Sequence, residues 1–425
     1  MTEKNSLGSP PDSKIGGRGM PPDPASTRGE DRSPVVLRRS LTTGALLLYG
    51  IGVIVGAGIY VAIASVIGHA GAAAPLSFLL AGIAAAMTGL CYAELSSRFP
   101  EASGAVAYVK EAFGSDRAAQ MIGAALTVAV AIAAASIASG AVQYLSRLIG
   151  LPPGALIALQ VAAFTLLAII GVRESVGFAA VIGGIEILGL LVAAAAGFLA
   201  PPAVDIGAMV PAGLAAWQGV VAGAFIAFFA FLGFENLANM AEEAKDPSRT
   251  VPLSILGAIL VSTVLYVMVA TALVFSGRGG ESPLIALFQG HYATLFAAVG
   301  ALAIANGVLV EIMMLARLFY GMARRKQLPA VLGRIHPLTR TPIEATALAG
   351  GVVLATALLI PFERLLASTN ALTLAIFAVV DVALWRIQKQ RPAGAGVFTV
   401  PRWVPPAAAV FSVGLIAGEV AAPGK

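Results

Sequence analysis

The sequence predicts an all-α membrane protein that crosses the bilayer many times. Of its 425 residues, 58% are hydrophobic and 12% are charged, whereas soluble domains carry about 25% charged residues. The mean hydropathy is +0.88, and apolar runs long enough to span a bilayer as helices follow one another along the chain. No stretch alternates with the two-residue period of a strand, so we expect a single helical membrane unit.

The order of the elements begins with a polar segment. Residues 1–37 are rich in Pro, Gly, Ser and charge, and they predict a disordered cytoplasmic tail without the apolar core of a signal peptide. Eleven apolar runs follow and predict eleven spans, at 42–68, 74–97, 119–146, 154–172, 177–200, 217–241, 252–275, 292–322, 343–361, 364–385 and 404–421.

Charge in the connecting segments predicts the orientation. With the N-terminus in the cytoplasm, most lysines and arginines lie inside, as the positive-inside rule requires. The opposite side then holds only Arg147, Arg278, Arg364 and Lys425. An odd number of spans leaves the C-terminus outside, so either a twelfth helix is missing from the sequence or one span is wrongly assigned.

Two spans are interrupted at corresponding positions, five spans apart. Span 1 contains GVIVGAGIY (52–60), in which three of nine residues are glycine, and span 6 contains AFIAFFAFLGFENLANMAEE (224–243). Broken first helices are typical of transporters built from two inverted five-helix repeats. This predicts a ten-helix core at 38–386, with repeats at 38–200 and 217–386, then a loop and a peripheral eleventh helix at 387–425. The alternative is that the glycines only form a close-packing stripe.

Unwound segments at these positions would expose backbone groups of both signs. The amides of Gly56, Ala57 and Gly58 would begin a half-helix and form an anion site. Carbonyl groups can hold a cation, and the candidates are Ile54, Val55, Phe228, Ala230 and Phe231. A zwitterion with adjacent carboxylate and ammonium groups fits such a pair of sites. The ring of Phe231 is the best placed to cover the bound molecule.

Acidic residues within spans are functional hypotheses, because charge is costly to bury in a bilayer. Glu186, in the middle of span 5, and Glu235, in span 6, are candidates for proton coupling. For Glu186 the alternative is a structural hydrogen bond to a neighbouring helix. Glu311 in span 8 either belongs to a structural network with Arg317 or faces the site.

Several classes of function are excluded by what the sequence lacks. A single cysteine, Cys91, allows no intramolecular disulfide and no cysteine-based metal site. The three histidines form no metal-ligand pair, and neither a nucleophile motif nor a phosphate loop occurs. We therefore expect no enzymatic activity, metal or cofactor. Nucleic-acid binding is not expected either, because no basic soluble domain is present.

Four stretches resemble the amino acid–polyamine–organocation (APC) permeases. They are GVIVGAGIYV, GLCYAELSSRFPEASGAVAYVKEAFG, AFFAFLGFENLANMAEEAKDPSRTVPLSI and ANGVLVEIMMLARLFYGMARRKQLP, in the order in which the family has them. The resemblance covers roughly residues 40 to 420. It implies the leucine-transporter fold and transport of amino acids or related amines by alternating access. The core would be complete without a twelfth helix.

Carried over by residue, the resemblance places the substrate carboxylate on Gly56, Ala57 and Gly58, and the ammonium on Ile54 and span 6. It also places Asn306 beside the site and implies a cytoplasmic gating role for Glu242, Glu243, Lys245 and Arg249. Sodium-coupled relatives carry hydroxyl residues on span 8, but LAIANGVLVEIMMLA (302–316) contains no Ser or Thr. Sodium coupling is therefore not expected, and a proton is the expected coupling ion.

The predicted function is secondary transport of an amino acid across the cell membrane, by proton symport. Small apolar walls, including AVAIAAASIASGA (129–141) on span 3, favour a neutral substrate unless Glu186, Glu235 or Glu311 faces the pocket. A cationic substrate, an amino-acid or amine exchanger, and a sensor on the same fold remain as alternatives. The sequence does not predict the oligomeric state.

Overall fold

The computed structural model describes residues 41–100, 104–171, 176–280 and 282–421, apart from the side chains at 176–180 and 206. Nearly all of this part is helical. The predicted tail at 1–37 lies outside the described residues. The helices are α1 (Thr43–Ala70), α2 (Ala74–Arg98), α3 (Ala105–Phe113), α4 (Asp116–Gly140), α5 (Val142–Leu145), α6 (Pro153–Ile170), α7 (Val176–Leu199), α8 (Leu214–Ala227), α9 (Phe234–Asn239), α10 (Pro247–Ser276), α11 (Pro283–Ala286), α12 (Gly290–Arg324), α13 (Ile343–Leu359), α14 (Phe362–Gln390) and α15 (Val404–Ala421).

Each of the eleven predicted spans corresponds to helix in the structure. Within the described ranges, nine helical stretches are long and apolar enough to cross a membrane, and the first, Thr43–Arg98, contains both α1 and α2. Ile343–Leu359 is a shorter apolar helix and corresponds to span 9. Span 6 is divided between α8 and α9, which are joined by a 3-10 helix at Phe228–Phe231. The prediction of an all-α polytopic membrane protein is confirmed.

Local sequence sets several of the helix ends. The Thr42 hydroxyl accepts a hydrogen bond from the Ala45 amide at 3.4 Å, and the Ser115 hydroxyl accepts one from Ala118 at 3.3 Å. Both contacts satisfy a backbone donor that the first turn of a helix leaves without an intrahelical partner. Pro153 and Pro247 begin α6 and α10, where the missing amide hydrogen of proline costs nothing.

The first interruption lies inside α1. Gly56 has φ −35° and ψ −131°, which departs from helical geometry and divides α1 into two halves. Two residues later the chain passes close to span 6: a Cβ atom on Gly58 would lie 2.6 Å from the Cα atom of Ala230. The sequence offers a break and close packing as alternatives, and the structure has a break at Gly56 and close packing at Gly58.

The second interruption separates α8 from α9. Leu232 has ψ 143°, and Gly233 follows with φ 114°, a conformation that residues with a side chain rarely adopt. A Cβ atom at Gly233 would also lie 2.6 Å from Cγ1 of Val53. Glycine is thus required here both by its backbone conformation and by the approach of α1. The two breaks lie side by side, as the inverted-repeat prediction requires.

The long helices pack in two groups. In the first group, α1 and α2 contact each other and both α8 and α10; in the second, α4, α6, α12 and α13 contact one another. α14 packs against α4 and α2, while α15 packs against α14, α2 and α8. The first group contains both broken helices, so the cavity at the breaks lies where the two groups meet. The division into repeats at 38–200 and 217–386, with a peripheral segment at 387–425, stays a prediction.

Candidate substrate-binding site

A cavity lies between the two helix breaks. Its walls come from α1, α4, α12, α14 and the interrupted span 6. The α4 wall consists of small or apolar side chains, including Ala129, Ala133 and Ile137. Such a mostly apolar pocket with a few convergent polar groups is typical of sites for small molecules.

The predicted substrate residues divide between the cavity wall and the packed interior. Ile54, Gly56, Ala57, Gly58 and Asn306 line the cavity. The cavity-lining residues do not include Val55, Phe228, Ala230 and Phe231, whose side chains are buried elsewhere in the core. The aromatic ring in the wall of the cavity belongs to Phe229, whereas Phe231 is fully buried against Tyr266, with ring centroids 5.1 Å apart.

Tyr266 of α10 joins the two breaks. Its hydroxyl lies 2.7 Å from the carbonyl oxygen of Ile54 and 2.8 Å from that of Ala230. These are two of the carbonyls predicted to hold the substrate ammonium, so a protein donor already contacts both. Sequence reasoning missed this residue. The position of Tyr266 in the middle of an apolar span could have indicated its role. Tyrosines in membrane helices concentrate at the interfaces, and a buried hydroxyl needs a hydrogen-bond partner.

The polar groups that face the cavity include several hydrogen-bond acceptors. Glu235 and Glu311 both line it, and Oε2 of Glu235 accepts a hydrogen bond from the Gly233 amide at 2.9 Å. Oδ1 of Asn306 is buried and accepts no hydrogen bond within the described residues. The lining contains no Lys, Arg or His from the part of the chain that the structure describes. The cavity is therefore suited to a ligand that donates hydrogen bonds and carries positive charge.

The predicted alternative of a network between Glu311 and Arg317 does not occur. No ion pair between these residues is present in the described ranges, and Arg317 does not line this cavity. Glu311 instead faces the same space as Glu235. The sequence could not distinguish these possibilities, because both positions lie on the same helix and its rotation was unknown.

Glu186 lies behind the break in α1. Its side chain is 1% exposed, and its Oε2 atom lies 3.8 Å from the position that a Cβ atom on Gly56 would occupy. The backbone carbonyl of Glu186 accepts a hydrogen bond from the Tyr60 hydroxyl at 3.0 Å. Glu186 is not among the residues that line the cavity. It therefore contacts the interrupted helix without facing the space where substrate would bind.

The charged motif after span 6 anchors the start of span 1. The Leu41 amide donates to the Glu243 carbonyl, and the Lys245 amide donates to the Leu41 carbonyl, both at 3.0 Å. Glu242 lies in the same short 3-10 helix as Glu243, and the exposed Arg249 lies in the first turn of α10. Backbone groups of this motif thus tie together the ends of both broken helices. The gating role of the four side chains stays a prediction.

The cavity continues toward one side of the molecule and is closed on the other. A second cavity shares Leu126, Val130, Glu235 and Asn236 with it and extends to Arg325 and Gln327. Arg325 and Gln327 lie on the side that the sequence predicts to face the cytoplasm. Toward the opposite side, rings of Tyr60, Tyr144 and Phe296 pack together, and the Tyr144 hydroxyl donates to the Tyr60 carbonyl at 3.0 Å.

These features define a class of protein. Two interrupted helices that meet at a central cavity, in an all-helical membrane protein, are characteristic of secondary transporters with inverted repeats.

Comparison with known proteins identifies the family. The family model for "Amino acid permease" matches residues 41–423. The chain belongs to this family, and thus to the APC superfamily, as the four sequence stretches predict.

Similar proteins include transporters named for cationic amino acids and one named for methylthioribose. The chain is 32% identical over 357 residues to cationic amino acid transporter 9, chloroplastic, of Arabidopsis thaliana, covering 76% of this chain and 62% of that protein. It is 29% identical over 391 residues to human cationic amino acid transporter 4, covering 84% of this chain and 61% of the relative. It is also 32% identical over 416 residues to the methylthioribose transporter of Bacillus subtilis (strain 168), covering 90% and 88%. The chain thus spans less than two thirds of the length of those two cationic amino acid transporters.

Proposed function

We propose that the protein is a secondary transporter of cationic amino acids. The observation that carries this proposal is the pair of carboxyl groups, Glu235 and Glu311, in a cavity whose described lining has no basic residue. The sequence favours a neutral substrate only if the acidic side chains lie away from the pocket, and two of them line it. The names of the plant and human relatives agree with a cationic substrate.

The backbone at the breaks supplies the part of the site that is common to all amino acids. In the proposed complex, the amides of Gly56, Ala57 and Gly58, at the start of the second half of α1, bind the substrate carboxylate. The α-ammonium group donates to Oδ1 of Asn306 and to the carbonyl of Ile54. The cationic side chain then lies beside Glu235 and Glu311, where burial from bulk water strengthens the attraction between opposite charges.

The experiment that tests this proposal is transport by the full chain in proteoliposomes. Uptake and counterflow of labelled arginine, lysine and leucine are measured together with methylthioribose, the compound named in the Bacillus relative. We expect saturable arginine and lysine transport that exceeds leucine transport at least tenfold. Preferred transport of leucine would support the neutral alternative, and preferred methylthioribose transport would reject an amino-acid substrate. Folded protein with no uptake and no counterflow would support a sensor.

We further propose that a proton, held by Glu186, drives uptake, and that sodium does not. Glu186 is buried against the break at Gly56, so a change in its charge alters the field at the half-helix end that binds substrate. In proteoliposomes, an inward proton gradient should accelerate arginine uptake, whereas a sodium gradient should not. The Glu186→Gln variant should lose the acceleration by the proton gradient and retain counterflow. Counterflow without any response to either gradient would instead identify an exchanger.

We also propose that the protein resides in the cell membrane with its N-terminus in the cytoplasm. The small number of basic residues on the predicted outer side supports the orientation. The relatives include proteins named for the chloroplast and the vacuole, so fractionation of the source cell's membranes is the direct measurement.

A further inference from the structure

A third, polar cavity lies between α6, α12 and α13, and it shares only Arg317 with the path that leads from the substrate site. It is lined by Gly171 just after α6, by Arg317 of α12, and by residues 339–342 before α13. None of the proposed substrate groups lines it. The cavity is on the side where the sequence predicts the cytoplasm, because Arg317 and the connection between α12 and α13 belong to that side.

Two arginines give this cavity its charge. Arg317 and Arg340 both line it, and neither forms an ion pair in the parts of the chain that the structure describes. The described lining contains no Asp or Glu, and Glu344, in the first turn of α13, is exposed outside it. Pro342, the N-cap residue of α13, is also part of the wall, so the positive end of that helix dipole adds to the potential.

The threonines of the cavity shape it more than they supply donors. The Thr341 hydroxyl donates to the Ile169 carbonyl at 2.8 Å, and the Thr346 hydroxyl donates to Pro342 at 2.9 Å. Thr339 and Thr341 lie 2.7 Å apart, oxygen to oxygen. The bond from Thr341 holds the connection against the end of α6, and the other two are local. The groups left to bind an anion are therefore the two guanidinium groups, which match the geometry of a phosphate.

Exposed apolar side chains occur on two of the chain segments that form this cavity. Ile170, at the end of α6, is 65% exposed, Leu166 one turn earlier is 60% exposed, and Leu338 of the connection is 87% exposed. Exposed apolar side chains near the end of a membrane span are suited to contact lipid tails. A charged cavity at the cytoplasmic end of such a span is expected at the depth of the lipid headgroups.

We propose that this cavity binds the phosphate of an anionic phospholipid from the adjoining leaflet. The guanidinium groups of Arg317 and Arg340 bind the headgroup, and the acyl chains lie against Leu166, Ile170 and Leu338. Basic pockets between membrane helices on the cytoplasmic side bind anionic headgroups in this way. Arg317 also lines the cavity that leads away from the substrate site, so the lipid neutralises a positive charge beside the path of a cationic substrate.

The test compares one lipid with its neutral counterpart and with free phosphate. The purified full chain is titrated in detergent with phosphatidylglycerol, phosphatidylcholine and inorganic phosphate, and bound molecules are counted by native mass spectrometry. The wild-type protein should retain one phosphatidylglycerol in preference to phosphatidylcholine. Millimolar phosphate should not displace it, because the apolar contacts are absent from phosphate. Displacement by phosphate at comparable concentration would identify a soluble anion site and overturn the proposal.

Variants separate a built site from general surface charge. Each arginine near an anionic lipid contributes about a factor of five in affinity, so Arg317→Gln/Arg340→Gln should bind phosphatidylglycerol roughly 30-fold more weakly. Arg334→Gln is the matched control, since Arg334 is exposed in the same connection and does not line the cavity. Arg340→Gln alone, a change outside the helices, should weaken binding roughly fivefold if the double variant fails to fold. Equal affinity for all variants, or equal loss in the control, would refute the proposal.

Discussion

At the scale of single residues, the proposed selectivity for cationic substrates rests on the carboxyl groups of Glu235 and Glu311. Glu311→Gln keeps the shape of the side chain but removes its charge from the cavity, so a cationic substrate loses one of its two opposite charges. Loss of one partner of a desolvated charge pair costs about 2 kcal/mol or more. We therefore expect the KM for arginine to rise by roughly 30-fold.

The matched control is Glu363→Gln, in the exposed first turn of α14, which should transport arginine like the wild type. Leucine competition provides a second readout. If Glu311→Gln impaired arginine and leucine transport equally, Glu311 would have a structural role, and the assignment of the cationic side chain would fail.

A second prediction concerns the hydroxyl that joins the breaks. Tyr266→Phe removes the donor that lies within 2.8 Å of two buried carbonyl oxygens, those of Ile54 and Ala230. An unsatisfied buried acceptor costs about 1–3 kcal/mol. We expect a lower midpoint of thermal unfolding and at least tenfold slower arginine uptake, with the protein still folded.

Tyr292→Phe serves as the comparison, because Tyr292 is 60% exposed near the start of α12. Unchanged uptake and stability in Tyr266→Phe would show that neither break depends on this hydroxyl.

Some residues of the candidate site could be predicted from the sequence, and others depend on tertiary contacts. Ile54, Gly56, Ala57 and Gly58 could be placed at the site because a break exposes backbone whatever the side chains do. The rotation of the span 6 segment could not be predicted, so Phe231 was expected at the ligand where Phe229 lines the cavity. Tyr266 was missed because its role depends on α10 lying beside both breaks, which is a tertiary contact.

At the scale of helices, α1 approaches span 6 so closely that glycine is required at position 58. In Gly58→Ala the new methyl group would lie 2.6 Å from the Cα atom of Ala230, and backbone cannot move aside as a flexible side chain can. Overpacking of this kind costs about 1–3 kcal/mol. We expect transport to fall by an order of magnitude and the midpoint of thermal unfolding to decrease.

Gly68→Ala, in the same helix, is the internal comparison, since no atom lies within 4 Å of its added Cβ position. It should behave as the wild type or be slightly more stable, because alanine favours a helix. A wild-type response from Gly58→Ala would mean that the two segments separate easily, contrary to the packing described.

The helices themselves could be predicted well, and their breaks in part. Apolar length identified every span, because a bilayer demands that length. The glycines and the polar residues after Gly233 located the two breaks. The 3-10 helix at Phe228–Phe231 could not be foreseen from four apolar residues, since its backbone is set by contacts with α1 and α10.

At the scale of the whole molecule, the arrangement of cavities predicts which side is accessible. The path from the site runs past Gln120 and Arg325 to the predicted cytoplasmic side, while Tyr60, Tyr144 and Phe296 close the other. A cysteine at position 120 should therefore react with a membrane-impermeant thiol reagent in inside-out vesicles and not in sealed right-side-out vesicles. The native Cys91 is fully buried and should not interfere.

The wild-type chain, with Cys91 alone, is the control for background labelling. Labelling of Gln120→Cys only in right-side-out vesicles would reverse the proposed orientation. Labelling in neither preparation would mean that the protein in membranes rests in another conformation than the one described.

The contact of Tyr266 with two carbonyls has a thermodynamic consequence. A phenol has one proton, so at any moment one of the two acceptors lacks a full hydrogen bond. Of the two, Ile54 lines the cavity and Ala230 does not, so a ligand donor that takes Ile54 leaves the phenol proton to Ala230 and completes the pair. Ligand binding and the rigidity of the two breaks are then reciprocally linked. A ligand that contacts Ile54 makes the junction more rigid, and a change that makes the junction more rigid raises the affinity for the ligand by the same coupling free energy.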